Sequence, residues 1–280
     1  CTNNLKQIGL AINNYATIHK YFPYGSVHAN KDPSASANRA GWSWSAAILP
    51  QMEQQPGYDR LGVDIRTMHQ AMLDANIRVH AQKPLAAFRC PSDTAPELND
   101  LRKFTNANYG PSSLATSNYI ANSGTRWAIA SDWVNSAKDP WGVMWASGRS
   151  RPADVTDGLS NTFLVGERDW YGLAGVLYGT RNYEGTQDVG LPQVLGLSNA
   201  KLNDVNPDLE DDKPAQRGFS SRHPGGANFV FGDGRVMFIN ENIHFDNTGT
   251  GGQSAVIYNA LGVYQRLSRR NDGVPLTGEL

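Results

Sequence analysis

The sequence has no long hydrophobic run, almost no net charge and few cysteines. None of its apolar stretches approaches the eighteen residues that a membrane-spanning helix needs, and no secretory signal is recognisable. The 25 basic and 26 acidic side chains leave a formal net charge of −1. A chain with so little excess charge has no electrostatic case for binding nucleic acid or an anionic membrane surface.

Motifs that identify many enzymes are also missing. The sequence contains no nucleophile elbow, P-loop, dinucleotide-binding fingerprint, zinc-ligand pattern or internal repeat. Its 280 residues can bury a large core, and 40% of them are hydrophobic. Together with 28 glycines, this composition is typical of a loop-rich α+β protein.

The most regular segment is the first 22 residues. Pro23 predicts the end of a helix there, and a helix that starts at the first residue predicts that the chain was cut or that the helix continues upstream. Gly9 costs a helix about 1 kcal/mol relative to alanine, which predicts close packing of another element. The apolar face of the helix, with residues at steps of three and four, consists of Leu5, Ile8, Ile12, Tyr15, His19 and Phe22.

Further elements are predicted downstream. Residues 42–59 favour a helix with a break near Pro50, residues 65–80 favour another helix, and a short helical run passes through Val256, Leu261 and Tyr264. From about residue 117, short β-like runs alternate with turn signals. The Gly-Asp-Gly sequence at 232–234, between two apolar runs, predicts a β-hairpin.

Five separated segments resemble a large bacterial family of prepilin-like proteins related to pseudopilins. The resemblance is found near residues 1–23, 42–55, 88–93, 155–167 and 219–239. It includes the run Thr156, Asp157, Gly158 and Asn161, and the motif His223-x9-Asp233-Gly234. In this family a basic leader and a hydrophobic helix, with a glutamate near its start, precede the first segment. Neither is present in the sequence given.

The resemblance implies a pilin-like α+β fold, with a long N-terminal helix packed on an antiparallel sheet and with additional helices and long loops. It implies one soluble domain over residues 1–280, whose helix at 1–23 is truncated from an upstream membrane helix. Residues 24–95 would form a helical and loop region. Residues 96–280 would form a β-rich region with a C-terminal hairpin.

The function implied by the resemblance is that of a non-enzymatic structural subunit of a type II secretion or type IV pilus-like assembly. The partners would be copies of itself or other pseudopilin-like subunits, and the membrane through the absent helix. The subunit would lie outside the cytoplasm, anchored in the inner membrane facing the periplasm or in a surface filament. The predicted assembly contact is the part of Leu5, Ile8, Ile12 and Tyr15 that the chain itself does not cover.

The two cysteines, Cys1 and Cys90, match cysteines of the resembled family. In an exported protein, a disulfide between them would tie the N-terminal helix to the body of the domain. The sequence leaves two alternatives open. The cysteines could be unrelated, or Cys1 could be the lipidated first residue of a mature lipoprotein.

His223 and Asp233 invite interpretation as a proton-transfer pair, but the β pattern argues against it. Asp233 would lie at the tip of the hairpin and His223 before its first strand, roughly 15–25 Å apart. Asp233 and Gly234 are predicted to take the positive φ angles of the turn. Asp157 and Asn161 are predicted to build a tight turn through local bonds from side chain to backbone. A catalytic role for Asp157 or Glu167 would require a partner base or a pocket, and the sequence shows neither.

An acidic segment raises the question of calcium. It does not have the spacing of an EF-hand, and a solvated acidic loop is the favoured interpretation. No other cofactor is predicted. The weak calcium candidates are Asp204, Asp208, Glu210, Asp211 and Asp212.

Two other classes of function remain as alternatives. One is a surface-anchored module that binds a glycan or small solute, which an exposed cluster of Trp42, Trp127, Trp133 or Trp141 would favour. The other is a hydrolase that works through His223 and a carboxylate. That hypothesis requires a carboxylate close to His223.

Overall fold

A computed structural model describes residues 1–27, 40–104, 110–125, 141–181, 190–204, 217–246, 248 and 260–276. The helices in these ranges are α1 (Thr2–His19), α2 (Trp44–Ala47), α3 (Gln55–Leu61), α4 (Met68–Leu73), α5 (Ala75–Ala81) and α6 (Val263–Leu267). The strands in these ranges are β1 (Ser26–Val27), β2 (Gly41–Ser43), β3 (Leu98–Phe104), β4 (Ser112–Ser117), β5 (Tyr119–Asn122), β6 (Met144–Trp145), β7 (Gly148–Arg149), β8 (Phe163–Glu167), β9 (Gly175–Val176), β10 (Gly179–Thr180), β11 (Leu195–Gly196), β12 (Gly226–Phe231) and β13 (Val236–Asn240). The chain is therefore a mixed α+β protein with several largely antiparallel sheets.

The first helix forms where the sequence predicts it. Leu5, Ile8 and Ile12 are fully buried on its inner face. The helix ends at His19, four residues before Pro23, because Lys20 takes a left-handed conformation with φ of 66° and donates its N–H to a carbonyl of the preceding turn. Within the described ranges, no helix combines the length and the apolar character needed to cross a membrane.

The central sheet has five strands in the order β11-β5-β8-β12-β13. All neighbours in it are antiparallel except β11 and β5, so the sheet is mixed rather than purely antiparallel as expected. Three smaller sheets pair β1-β2-β10, β3-β4-β9 and β6-β7. Strand β2, from the region predicted to be helix and loop, pairs with β10 and joins that region to the β-rich part.

Both faces of the central sheet are covered. Along β12, Val230 points to the core cluster that contains α1, whereas Phe229 and Phe231 point to the opposite side. This alternation follows from the two-residue period of a strand. The opposite side is filled by an aromatic cluster whose members are Phe163, Phe219, Phe229, Phe231 and Tyr264.

The predicted hairpin is present as β12 and β13, with Phe229 opposite Met237. In its turn, Gly234 has φ of 88° and donates its N–H to the Phe231 carbonyl. Asp233 does not have a positive φ, in contrast to the prediction. Its carboxylate instead accepts the Arg235 N–H at 3.0 Å.

The other predicted helices are shorter than their sequence patterns suggest. Residues 42–59 lie in strand β2, α2, a short 3-10 turn and α3. Residues 65–80 divide into α4 and α5 at Asp74, whose side chain accepts the Asn76 N–H and caps the second helix. Of the C-terminal run only α6 is described, and Val256 lies outside the described residues.

The close packing predicted at Gly9 is present. A β-carbon on Gly9 would lie 2.4 Å from Cγ2 of Val230 on β12, a distance that a carbon pair does not tolerate. We expect Gly9→Ala to lower the free energy of unfolding by about 1–2 kcal/mol, because overpacking outweighs the gain in helix propensity. Urea-induced unfolding followed by circular dichroism measures this change.

The control for Gly9→Ala is the same substitution in a Val230→Ala background. Removing the valine methyl groups leaves room for the added carbon, so there the alanine should stabilise the helix by up to about 1 kcal/mol. Asn14→Ala, on the exposed side of α1, should not destabilise the protein in either background. A Gly9→Ala cost that is the same in both backgrounds would contradict the proposed close approach.

Candidate functional site

Four segments that are far apart in the sequence meet at the beginning of α1. Cys1 precedes the helix, Cys90 follows a short 3-10 turn, Glu167 ends β8, and His223 precedes β12. One ligand-type atom from each of these side chains lies within 4.8 Å of the others. Each of the four belongs to a different segment of the resemblance, so we call this group the Cys1 junction and treat it as the candidate site.

Cys1 and Cys90, the predicted disulfide pair, are bonded to each other. Their Cα atoms are 4.9 Å apart although 89 positions separate them in the sequence. The Cys90 backbone N–H donates to Asn118 Oδ1 at 2.9 Å, which holds this end of the bridge against the start of β5. The bridge therefore fastens the first turn of α1 to the β-rich part of the chain.

His223 lies between the disulfide and a buried carboxylate. Its Nε2 is 3.6 Å from Cys90 Sγ and 3.3 Å from Glu167 Oε1. The His223 side chain is 22% exposed and that of Glu167 is 2% exposed. His223 thus forms the solvent-facing side of the junction, and Glu167 forms its interior.

Both carboxylate oxygens of Glu167 have hydrogen-bond partners. Oε2 accepts the backbone N–H of Asn228 at 2.6 Å and its side-chain amide at 3.1 Å, which leaves Oε1 directed at His223. Burial raises the pKa of Glu167, and the hydrogen bonds from Asn228 and the neighbouring His223 oppose this rise. Thr2 donates to Asn228 Oδ1 at 3.3 Å, so α1 is connected to the same network.

A second carboxylate, that of the half-buried Asp93, is connected to the junction through Asn118. Asp93 accepts the Trp170 N–H at 3.0 Å and a hydrogen bond from the side chain of Asn118. Burial raises the pKa of Asp93, and these hydrogen bonds oppose the rise. The approach to His223 is fixed by Ser221, whose hydroxyl accepts the His223 N–H at 3.0 Å and donates to the Gly226 carbonyl at 2.6 Å.

What this arrangement can do chemically depends on which of its reactive atoms are already bonded or buried. A histidine–carboxylate pair can transfer a proton, and a thiolate beside a histidine can act as a nucleophile or bind a metal. In the oxidised form both sulfur atoms are bonded to each other, and the Glu167 carboxylate is nearly inaccessible. The oxidised junction therefore acts as a covalent and hydrogen-bonded clamp on α1.

The structure separates the two residues of the His223-x9-Asp233 motif. His223 lies before β12 and Asp233 lies in the turn after it, so β12 stands between them. The prediction that Glu167 lacks a partner base is wrong, because His223 lies beside it. Sequence reasoning missed this pair because 56 positions separate the two residues and only the β8–β12 pairing brings them together.

Asp157 and Asn161 form the turn that their sequence predicts. Asn161 donates its amide to the Asp157 carbonyl at 2.9 Å, and Gly158 between them has φ of 100°. The Asp157 carboxylate borders a cavity of about 230 Å³. Its two oxygens accept the backbone N–H groups of Asp272 at 2.6 Å and Gly273 at 2.9 Å, which ties the C-terminal segment to this turn. Thr156 lines the same cavity.

The predicted assembly face needs correction. Leu5, Ile8 and Ile12 are fully buried because they pack within the core on the central sheet, and only Tyr15 remains partly exposed. The apolar side chains that α1 exposes instead are Leu10 and Ile18, at 62% and 65%. The spacing of apolar residues identifies the larger apolar face of α1, and in the folded protein the central sheet covers that face.

Other predicted residues are only partly described. Asp204 is exposed, and the remaining calcium candidates, Asp208, Glu210, Asp211 and Asp212, lie outside the described residues.

Trp42 is buried, with its indole N–H donating to the Arg66 carbonyl at 2.8 Å. Trp141 is half-buried with the Arg269 guanidinium over its ring. Trp127 and Trp133 lie outside the described residues, so no exposed tryptophan cluster is found among the members that are described.

Comparison with protein families gives a match over most of the chain. A family model described as "Protein of unknown function (DUF1559)" matches residues 1–246, which include all four residues of the Cys1 junction. No curated protein and no solved structure matches the chain.

Proposed function

The chain belongs to the DUF1559 family of proteins of unknown function, and from this premise we propose that it is a non-enzymatic, pilin-like subunit of a type II secretion or type IV pilus-like assembly. In this proposal an upstream hydrophobic helix anchors the subunit in the inner membrane. The described domain lies outside the cytoplasm and contacts copies of itself or related subunits. The resemblance of five sequence segments to prepilin-like proteins supports this function.

The observation that carries the proposal is the two-sided character of α1. Its inner face is covered by the central sheet, and its outer face exposes Leu10 and Ile18, about 12 Å apart along the helix axis. Tyr21, just past the helix end, is also 37% exposed. The exposed apolar side chains of Leu10 and Ile18, about 80° apart around the helix axis, can pack against a neighbouring helix, because burying each of them would contribute about 1.5–3 kcal/mol.

The Cys1 junction supports the same function mechanically. If a membrane helix precedes Cys1, any pulling force on it enters the domain at Cys1, immediately before α1. The disulfide transmits that force to Cys90 and the β-rich part, so α1 does not detach from the sheet one turn at a time. A disulfide also suits an exported protein, because bridges of this kind persist in oxidising compartments.

The test places a photo-activatable cross-linking residue at Leu10 or Ile18 of the full-length protein in its native bacterium. We expect cross-linked ladders of this subunit or of related subunits. Ile65, which is 73% exposed but follows α3, is the matched control and should give no ladder. Equal cross-linking from Ile65, or none from either position on α1, would refute the assembly surface.

Charge on the outer face of α1 should prevent assembly without unfolding the domain. We expect the double substitution Leu10→Asp and Ile18→Asp to reduce cross-linked species by more than about tenfold, because each carboxylate would lose hydration in the contact. The free energy of unfolding should change by no more than about 0.5 kcal/mol for each exposed site. Ile65→Asp should change neither quantity, and assembly that survives the double substitution would contradict the proposal.

A further inference from the structure

We propose that reduction of the Cys1–Cys90 disulfide converts the Cys1 junction into a zinc site, with Cys1, Cys90, His223 and Glu167 as its four ligands. The inference depends on the geometry of the junction and does not depend on the assembly function. Neither the resemblance nor the family description assigns a metal to these residues.

The distances suit tetrahedral zinc. Zinc–ligand bonds of about 2.0–2.3 Å place neighbouring ligand atoms about 3.3–3.8 Å apart in a tetrahedron. Cys90 Sγ and His223 Nε2 are already 3.6 Å apart, and His223 Nε2 and Glu167 Oε1 are 3.3 Å apart. Two edges of the tetrahedron therefore exist before any metal binds, and all four ligand atoms lie within 4.8 Å.

The sulfur atoms must separate after reduction. A phosphine reductant supplies two electrons to the disulfide and takes its oxygen from water, and each sulfur receives one of the two protons of that water. The two thiols can then move from bonding distance to about 3.7 Å by side-chain rotation, since the Cα atoms are 4.9 Å apart. Zinc binding displaces both thiol protons, so the metal is held by two thiolates, a neutral imidazole and a carboxylate.

The surrounding residues hold these ligands in place. Asn228 occupies Oε2 of Glu167 with two hydrogen bonds, which leaves Oε1 facing the proposed metal position. Asn118 holds the Cys90 backbone, and Ser221 holds that of His223. Ligands that are fixed by outer hydrogen bonds lose less conformational freedom on binding, which is how many metal sites gain affinity.

The donor set selects the metal. Two thiolates with one imidazole suit zinc, whereas calcium and magnesium prefer sites built from oxygen alone. His223, at 22% exposure, offers an entry path for the ion, while the other side of the site is closed by the buried Glu167. The beginning of α1 would then be fastened to the body in either redox state, by the disulfide when oxidised and by zinc when reduced.

The experiment uses the 280-residue chain, oxidised or reduced with a phosphine under anaerobic conditions, and titrates zinc against a chromogenic chelator. We expect the reduced protein to bind one zinc ion per chain and the oxidised protein to bind none at this site. His223→Ala should weaken binding by more than about 100-fold, and Glu167→Gln by about tenfold, because water can replace a carboxylate ligand. His19→Ala, an exposed histidine on α1, is the control and should bind as the unsubstituted protein does.

Cobalt(II) supplies a measurement that does not depend on the folding of any variant. Added to the reduced protein, it should give the intense visible bands of a tetrahedral ion and the near-ultraviolet charge-transfer band of thiolate ligation. The proposal is overturned if the reduced protein lacks saturable one-to-one zinc binding, if the oxidised protein binds equally well, or if cobalt shows no thiolate band.

Discussion

Replacing Cys1 and Cys90 together with alanine will lower the free energy of unfolding by about 4 kcal/mol. The bridge closes a loop across 89 positions, and without it the unfolded chain regains the conformations that this closure forbids. For a chain of this size, a loss of that magnitude corresponds to a fall in melting temperature of about 10 °C. The expected loss lies below the full value of the chain-entropy model, because denatured chains under native conditions retain some structure.

The folded form of the double variant should keep α1 in place. The Asn4 amide donates to the carbonyls of Arg89 at 2.7 Å and Ala86 at 3.2 Å, and the apolar inner face of the helix remains buried. The loss should therefore appear as easier global unfolding together with faster amide hydrogen exchange in the first turn of α1. The dependence of unfolding on urea should steepen slightly, because the unfolded chain without the bridge is more expanded.

Two controls isolate the bridge. The unsubstituted protein reduced with a phosphine in the presence of a chelator should lose the same stability as the double variant. Oxidised unsubstituted protein with the chelator alone should lose none. If the reduced and oxidised proteins unfold at the same urea concentration, the bridge does not stabilise the domain.

Replacing Arg168 with methionine will destabilise the protein by at least about 3 kcal/mol. Arg168 directly follows β8 and is fully buried. Its guanidinium donates to the carbonyls of Gly218 at 2.8 Å, Arg217 at 2.7 Å and Leu195 at 3.2 Å, and to that of Pro192. Methionine fills a similar volume but donates nothing, and each buried carbonyl left without a donor costs about 1–3 kcal/mol before the structure relaxes.

Arg168→Lys separates hydrogen bonding from volume. An ammonium group has three donors but lacks the planar fork of a guanidinium. The free energy of unfolding of Arg168→Lys should therefore lie between that of the unsubstituted protein and that of the methionine variant. Arg60→Met, at an exposed arginine on α3, should leave the urea midpoint unchanged. An Arg168→Met variant as stable as Arg60→Met would show that the four carbonyls do not need this donor.

Local sequence patterns predicted the elements whose form depends on near neighbours. The step of three and four residues predicted α1, and the Gly-Asp-Gly sequence predicted the hairpin of β12 and β13. Gly9 predicted a close contact because a glycine inside a helix is costly unless something needs the space. Boundaries were less accurate, since Lys20 ends α1 before Pro23 does and Asp74 divides a predicted helix in two.

Those local patterns do not predict which side chains far apart in the sequence come into contact. Neither the sequence around His223 nor that around Glu167 indicates that the two side chains touch. Their contact depends on β12 lying beside β8 in the sheet, and on the loop held by Ser221 turning His223 towards the end of β8. The sequence did exclude Asp233 as the partner, because a strand lies between it and His223, but it gave no indication of Glu167 in its place.

The sequence by itself determined that the chain begins with an amphipathic helix, that a hairpin lies near its C-terminal end, and that two cysteines were available to bond. These properties depend on the order of residues within one or two turns of structure, where periodicity and turn preferences act directly. Only the tertiary structure decided which apolar side chains of α1 are buried, leaving Leu10 and Ile18 outside. Only it brought the disulfide, His223 and Glu167 together, because the order of strands in a sheet is set by packing between distant segments.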